Sequence, residues 1–268
     1  MHRKSYKYHF CYETYSDPSL TEEEKEEKCV ELIMNSYSGG AEKGTDLHKT
    51  LEVFLDKGGK SCDDLNIADY NASCFNQFMS IYQNKYWWTF ETLRLEWSVC
   101  DFEVDIPGQI DYVGIELNKH GELVLLDWKR TENITTFYNK YAPPSEWKGY
   151  SFCSNMNNCN FNKYSLQLNL YKYILEKFYG VRVGNMMLMQ FHNKLKTPVI
   201  HKVPNMQKTL IWMLAARLKY LRIMRQCLKE GIPLITQQQL REAKPTYRRD
   251  VLLPRFLETM KHHNVDLN

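Results

Sequence analysis

Two apolar segments joined by a short turn constrain the fold of this chain more than any other feature. Residues 106–117 and 122–130 are rich in Val, Ile and Leu, and the sequence between them, Asn118-Lys-His-Gly121, is typical of a turn. Strands that follow each other along the chain and are joined by so short a turn pair antiparallel. The sequence therefore predicts an antiparallel β-hairpin.

Two carboxylates interrupt the apolar pattern of this hairpin. Asp111 lies in the first strand, and Asp127 follows Leu123-Val-Leu-Leu126, where an apolar residue would continue a buried run. A buried carboxylate is costly unless something compensates its charge. Lys129 is two residues beyond Asp127, so both side chains are expected on one face of the strand. This arrangement indicates a divalent cation that compensates the charge of the carboxylates. In the alternative, Asp111 caps a turn and Lys129 is a solvated strand end, and the proximity of these charged residues would then be a coincidence.

Helical and strand-like segments surround the hairpin. Thr21 can cap a helix whose first turn is acidic, and after Ser38-Gly39-Gly40 a second helix is expected from Gly44 to Leu55. Further helices are predicted at residues 164–179 and 206–228. Further strands are predicted at residues 87–99, 181–192 and 197–203. This order of elements predicts an α/β fold with a mixed sheet.

The chain is long enough for one core domain with appendages. We expect an N-terminal helical segment at residues 1–43, a core at residues 44–203, and a C-terminal helix and tail at residues 204–268. Residues 131–163, rich in Asn, Tyr, Pro and Lys, form an inserted loop that is longer than most connections.

Composition restricts the class of protein without indicating its partner. The net charge of +3, from 35 basic and 32 acidic residues, is too small to indicate nucleic-acid binding by itself. Lys and Arg cluster near residues 129–148, 216–229 and 241–249, which would suit a polyanion-binding face, but solvated helix faces produce the same pattern more often. No apolar run approaches the ~20 residues that span a bilayer, and the eight cysteines form no C-x-x-C pair. We therefore expect an intracellular protein that is not secreted and has no membrane partner.

Four short motifs resemble those of a known family, the RecB-like branch of the PD-(D/E)XK nucleases. They occur in the order of that branch and span about half the chain, from residue 44 to residue 171. The motifs are Gly44-Thr-Asp-Leu-His48 with Glu52, Gly108-Gln-Ile-Asp111, Asp127-Trp-Lys129 and Gln167-Leu-Asn-Leu-Tyr171. The resemblance implies a restriction-endonuclease-like core, in which helices flank a central mixed β-sheet, with helical additions.

The resemblance also implies a metal site. Asp111 and Asp127 would hold one or two Mg²⁺ or Mn²⁺ ions with the help of the Trp128 carbonyl, and His48 would complete or steady the shell. Considered alone, His48 would be interpreted as an ordinary core histidine. Glu91 or Glu96 on the preceding strand could supply a further carboxylate, and the sequence does not decide between them.

Three more residues receive catalytic roles from the resemblance. Lys129 would orient or activate the attacking water and stabilise charge on the phosphate. Gln167 and Tyr171, one helical turn apart, would face the site, although without the resemblance they are ordinary helix residues. Branch members with an iron–sulfur cluster use three cysteines after the core, and only Cys227 lies there, so no cluster is expected.

The sequence thus predicts a Mg²⁺- or Mn²⁺-dependent deoxyribonuclease, of exonuclease or flap type, that acts on single-stranded ends. Aromatic and basic residues of the inserted loop could stack on unpaired bases, or could pack onto the domain instead. The candidate nucleic-acid-binding residues are Arg130, Tyr138, Lys140, Trp147, Lys148 and Tyr171. Two alternatives stay open: a catalytically silent nucleic-acid-binding or assembly subunit with the same fold, and an RNA-cutting nuclease.

Overall fold

A mixed β-sheet flanked by helices forms the centre of the protein. The computed structural model describes residues 18–60, 62, 65–84, 87–119, 121–136, 148–149 and 151–229. Its helices are α1 (Glu22–Asp56), α2 (Asp69–Tyr82), α3 (Asn160–Tyr179) and α4 (Gln207–Lys229). Its strands are β1 (Phe90–Asp101), β2 (Ile106–Glu116), β3 (Leu123–Arg130), β4 (Val183–Phe191) and β5 (Val199–Lys202).

The strands lie in the sheet in the same order as in the chain, β1-β2-β3-β4-β5. β2 and β3 pair antiparallel, with Tyr112 opposite Leu126, which confirms the predicted hairpin. β3 and β4 pair parallel, with Asp127 opposite Leu188, because α3 lies between them in the chain and returns it to the same edge. β4 and β5 are again antiparallel. The predicted α/β fold with a mixed sheet is confirmed.

Alternation along β3 places a hydrophobic core on each face of the sheet. Val124, Leu126 and Trp128 belong to the core that contains the buried residues of α1 and α2. Leu123 and Leu125 belong to the core that contains those of α3. Because side chains alternate along a strand, Asp127 and Lys129 continue the row that faces α3.

Helix α1 differs from the prediction. The sequence predicted two helices separated at Ser38-Gly39-Gly40, but one helix of 35 residues runs from Glu22 to Asp56. The predicted start is confirmed, since Thr21 and Glu24 form a capping box. A glycine inside a helix costs only about 1 kcal/mol relative to alanine, too little to break a helix whose later turns are anchored by buried leucines.

The structure describes both ends of the inserted segment that was predicted at residues 131–163. Lys148 and Asn157 form an isolated antiparallel bridge, and Ser151–Cys153 is a single 3₁₀ turn. Helix α3 starts at Asn160, about one turn before the predicted start at Tyr164. Residues 137–147 lie outside the described residues.

The chain divides into two compact units. The first comprises the described residues up to Cys100 together with Pro107–Thr209, and it holds nearly the whole sheet and helices α1 to α3. The second comprises Asp101–Ile106 and the described residues from Leu210 onward. Within the second unit, Arg217 Nε donates a hydrogen bond to the Val104 carbonyl at 3.2 Å. The segment boundaries predicted from the sequence, 43/44 and 203/204, remain predictions, and the first falls within α1.

None of the helices in the described ranges is long and apolar enough to cross a membrane.

Candidate functional site

The central hairpin buries two carboxylates next to each other. Asp111 of β2 is 8% exposed and Asp127 of β3 is 2% exposed. The backbone N–H of Trp128 donates a hydrogen bond of 2.7 Å to Asp111 Oδ2, which ties the first carboxylate to the neighbouring strand. Antiparallel pairing of two adjacent strands therefore brings together residues that are 16 positions apart in sequence.

Helix α1 contributes His48 to the same place. Leu47 and Leu51 are fully buried, and they fix the face of α1 that packs on the sheet. The imidazole Nε2 lies 2.9 Å from the carbonyl oxygen of Trp128, so Nε2 carries the proton that is donated to this oxygen. Nδ1 lies 3.4 Å from Asp111 Oδ2, so it faces the carboxylates.

Strand β1 supplies a third carboxylate, that of Glu96. Its Oε1 lies 3.8 Å from His48 Nδ1, whereas Glu91 is exposed, so the choice that the sequence left open falls on Glu96. Glu96 has a φ of +45°, which is rare for a residue other than glycine and re-aims the side chain within the strand. Its Oε1 is buried and accepts no hydrogen bond from the residues that the structure describes.

These side chains form a set of donors suited to a divalent cation. Each of three residues offers one potential ligand atom, and these atoms all lie within 4.8 Å of one another; the residues are His48, Glu96 and Asp111. Carboxylate oxygens are the preferred ligands of Mg²⁺, and imidazole is a good additional ligand for transition metals such as Mn²⁺. Asp127 lies outside this set of three, and its Oδ2 is 2.6 Å from the ammonium nitrogen of Lys129.

Charge crowding shifts the protonation of the site. Burial lowers the pKa of His48, but Asp111 and Glu96 outweigh it and raise this pKa to about 10. Burial and the neighbouring charge of Asp111 raise the pKa of Asp127 above its ordinary value. Burial alone would lower the pKa of Lys129, but the carboxylates of Asp127 and Asp111 outweigh burial and raise this pKa above its ordinary value. The lysine is therefore a cation.

Helix α3 closes the site with a row of polar side chains. Gln167 Nε2 donates a hydrogen bond of 2.6 Å to the hydroxyl of Tyr171. Gly108 is required here, because a Cβ at this position would lie 2.3 Å from the Tyr171 ring. Burial raises the pKa of the Tyr171 hydroxyl, so it is a proton donor at neutral pH.

Tyr164 also belongs to this row, and the sequence analysis did not single it out. The Nζ of Lys129 lies 4.5 Å from the centroid of its ring. Tyr164, Gln167 and Tyr171 follow one another at helical spacings of three and four residues, a signal that could have identified all three.

All of these groups line one cleft of about 540 Å³. The structure brings together in it eight of the residues predicted from the sequence: His48, Asp111, Asp127, Trp128, Lys129, Arg130, Gln167 and Tyr171. Glu96, Gln109 and Tyr164 are additional members. Such a convergence of titratable groups in a concave site is typical of an active site.

The predicted nucleic-acid-binding residues are in varied surroundings. The guanidinium of Arg130 donates hydrogen bonds to Asn71 Oδ1 at 2.7 Å and to the Tyr70 carbonyl at 3.0 Å, so α2 fixes its position at the cleft. Lys148 Nζ donates to Asn157 Oδ1 at 2.9 Å and is exposed. The other loop residues, Tyr138, Lys140 and Trp147, lie outside the described residues.

Comparisons with known proteins find similarity among solved structures. No protein-family model matches the sequence, and no curated protein matches it. A solved structure named "Putative exonuclease" from Eubacterium rectale is similar with a TM-score of 0.41 and 13% sequence identity, over 90% of this chain and 91% of that chain.

Proposed function

We propose that this chain is a metal-dependent nuclease that hydrolyses phosphodiester bonds at the cleft between α1, the hairpin and α3. The observation that carries the proposal is the cluster itself: the buried carboxylates of Asp111 and Asp127 beside the partly buried Lys129, with His48 and Glu96 nearby. Folding alone does not require these residues together, because buried like charges cost free energy. The four sequence motifs of the RecB-like branch support the same assignment.

The residues present fit a divalent cation. Glu96 offers a buried oxygen that accepts no hydrogen bond within the described part of the chain. The pKa of Asp127 is raised partly by repulsion from Asp111, which a cation would relieve. Asp111 and Asp127 would hold one or two Mg²⁺ or Mn²⁺ ions, with His48 Nδ1, Glu96 and the Trp128 carbonyl as further ligands. The bound ion would supply a Lewis acid that polarises the phosphoryl oxygen and lowers the pKa of water.

The remaining residues handle the substrate. Lys129 would hold its ammonium against the scissile phosphate, where negative charge increases in the transition state. The Tyr171 hydroxyl already accepts a hydrogen bond from Gln167, so it can donate its own proton to a further acceptor, such as a water or a phosphate oxygen. Arg130 and Lys148 would contact the backbone of the nucleic acid.

We propose DNA with single-stranded ends as the substrate, cut by an exonuclease or flap-type activity. The aromatic and basic composition of the inserted segment supports this choice, because aromatic rings stack on unpaired bases of any sequence. The core at residues 44–203 would carry the activity, with residues 1–43 and 204–268 as additions.

Cleavage of end-labelled nucleic acids tests the proposal. Single-stranded DNA, duplex DNA and RNA of equal length are incubated with Mg²⁺, Mn²⁺ or EDTA, and the products are resolved on a sequencing gel. We expect cleavage of single-stranded DNA that requires metal, and the product ladder will distinguish release from the ends from internal cutting. Preferential cleavage of RNA would change the substrate. Binding without cleavage in either metal would identify a silent subunit.

Metal affinity is expected to increase with pH. The pKa of His48 is raised to about 10, so at neutral pH its imidazole carries the proton on Nδ1 that a cation must displace. The apparent affinity for Mn²⁺ then rises by up to about tenfold per pH unit for each proton released, until the pH exceeds this pKa. Titration calorimetry at several pH values, in buffers of different ionisation enthalpy, measures both the affinity and the protons released. An affinity independent of pH would show that His48 is not a ligand.

A further inference from the structure

Lys129 has two partners of different kinds in the cleft. Its ammonium nitrogen lies 2.6 Å from Asp127 Oδ2 and 4.5 Å from the centre of the Tyr164 ring. Only 16% of the Lys129 side chain is exposed. The carboxylate and the aromatic ring are supplied by different elements, β3 and α3, so they can restrain the ammonium independently of each other.

The carboxylate cannot hold Lys129 equally well once the site is loaded. If Asp127 binds a cation, its negative charge is shared with that cation and its attraction for the ammonium decreases. The cation and the ammonium also repel each other at this short range. A lysine side chain has several rotatable bonds and gains entropy on release, so without another restraint Lys129 would move toward solvent when the metal binds.

The Tyr164 ring is a restraint that metal binding leaves unchanged. An aromatic face attracts a cation through its quadrupole, which does not depend on the charge of Asp127. Tyr164 lies in α3, whose buried residues Leu168, Ile174 and Leu175 belong to one hydrophobic core, so the helix fixes the ring. We propose that Tyr164 is a positioning residue that keeps the Lys129 ammonium at the scissile phosphate when Asp127 binds metal. This inference rests on the proposed nuclease function.

Tyr164 also packs against the core, so the test must separate the ring from the packing. Tyr164→Phe keeps the ring, whereas Tyr164→Leu keeps an apolar side chain and removes the ring. Tyr173 provides a matched control, because it lies on the same helix, packs against the same core and has the ammonium of Lys177 at 5.2 Å from its ring. Tyr173 is not among the residues that line the cleft.

The kinetic constants for cleavage of single-stranded DNA are the first readout. We expect Tyr164→Leu to lower kcat by about 10- to 100-fold, since a small displacement of a catalytic group has effects of this size. KM and the affinity for Mn²⁺ should stay close to the wild-type values, and Tyr164→Phe should restore kcat to within about threefold. Tyr173→Leu should leave kcat unchanged. An equal loss in Tyr164→Phe and Tyr164→Leu, or a similar loss in Tyr173→Leu, would overturn the proposal.

A second readout does not depend on cleavage. In protein labelled with ¹³C-lysine, the ring current of Tyr164 should shift the ε-methylene protons of Lys129 upfield, and Tyr164→Leu should abolish the shift. We expect the shift to persist when the wild type is saturated with Mg²⁺. Loss of the shift on Mg²⁺ binding would overturn the positioning role even if the protein cleaves DNA. If the shift of the Lys129 protons persists with Mg²⁺ but the protein does not cleave DNA, the proposed nuclease function is rejected and the contact between Tyr164 and Lys129 is not.

Discussion

Asp127→Asn is expected to abolish metal-dependent cleavage, with a loss of at least about 10³-fold in kcat. The substitution keeps the shape of the side chain but removes the charge that would bind the cation and pair with Lys129 at 2.6 Å. The cleavage assay with end-labelled DNA measures the loss, and circular dichroism establishes that the variant is folded.

Thermal unfolding provides a second measurement on the same variant. A cation that binds only the folded state stabilises it by about 2.7 kcal/mol at 100 times its Kd, so Mn²⁺ should raise the Tm of the wild type. Asp127→Asn should lose most of this increase. Glu116→Gln is the matched control, because Glu116 is a 9% exposed carboxylate of the same hairpin that does not line the cleft. A variant at Asp127 that still cleaves and is still stabilised by Mn²⁺ would remove Asp127 from the site.

Trp128 explains how the groups of the candidate metal site can be held rigidly. Its indole is 1% exposed and packs against Phe78, Trp87 and Phe191 on the face of the sheet opposite to Asp127. Its N–H and C=O bind Asp111 and His48. One residue therefore connects a tightly packed core with two proposed ligands, which is the type of support that a preorganised site requires.

The sequence predicted the centre of the site because the hairpin obeys simple rules. A two-residue period and a short turn sufficed to bring Asp111, Asp127 and Lys129 together. Glu96 could not be chosen over Glu91, because the positive φ of Glu96 interrupts the alternation of a strand in which most side chains are exposed or half-buried. Such a local change of backbone conformation leaves no periodic signal in the sequence.

The continuity of helix α1 could not be predicted for a different reason. Helix-breaking signals such as Ser38-Gly39-Gly40 compete with packing, and the local cost of glycine is small beside the burial of Leu47, Leu51 and Phe54 further along the helix. His48 was still assigned correctly to a helix, because its turn is defined by these apolar neighbours. The sequence pattern thus located the helix that carries His48, and only tertiary packing determined the length of this helix.

Lys129→Ala is expected to lower kcat by about 10²- to 10³-fold while the affinity for Mn²⁺ is retained or increased. In the proposed mechanism the ammonium stabilises charge at the phosphate and also competes with the metal for Asp127, so its removal should have opposite effects on catalysis and on metal binding. Lys129→Arg should not restore the rate, because the planar guanidinium is larger than the ammonium that fits between the Asp127 carboxylate and the Tyr164 ring.

Lys172→Ala is the control for this change, since Lys172 is 14% exposed, pairs with Glu176 at 2.5 Å and does not line the cleft. Calorimetry with Mn²⁺ and single-turnover cleavage measure the two effects separately. Parallel losses of metal affinity and rate in Lys129→Ala would mean that the lysine supports the carboxylates only. A lower rate with an intact metal site would instead separate the two functions within the hairpin, with Asp127 binding the ion and Lys129 acting on the phosphate.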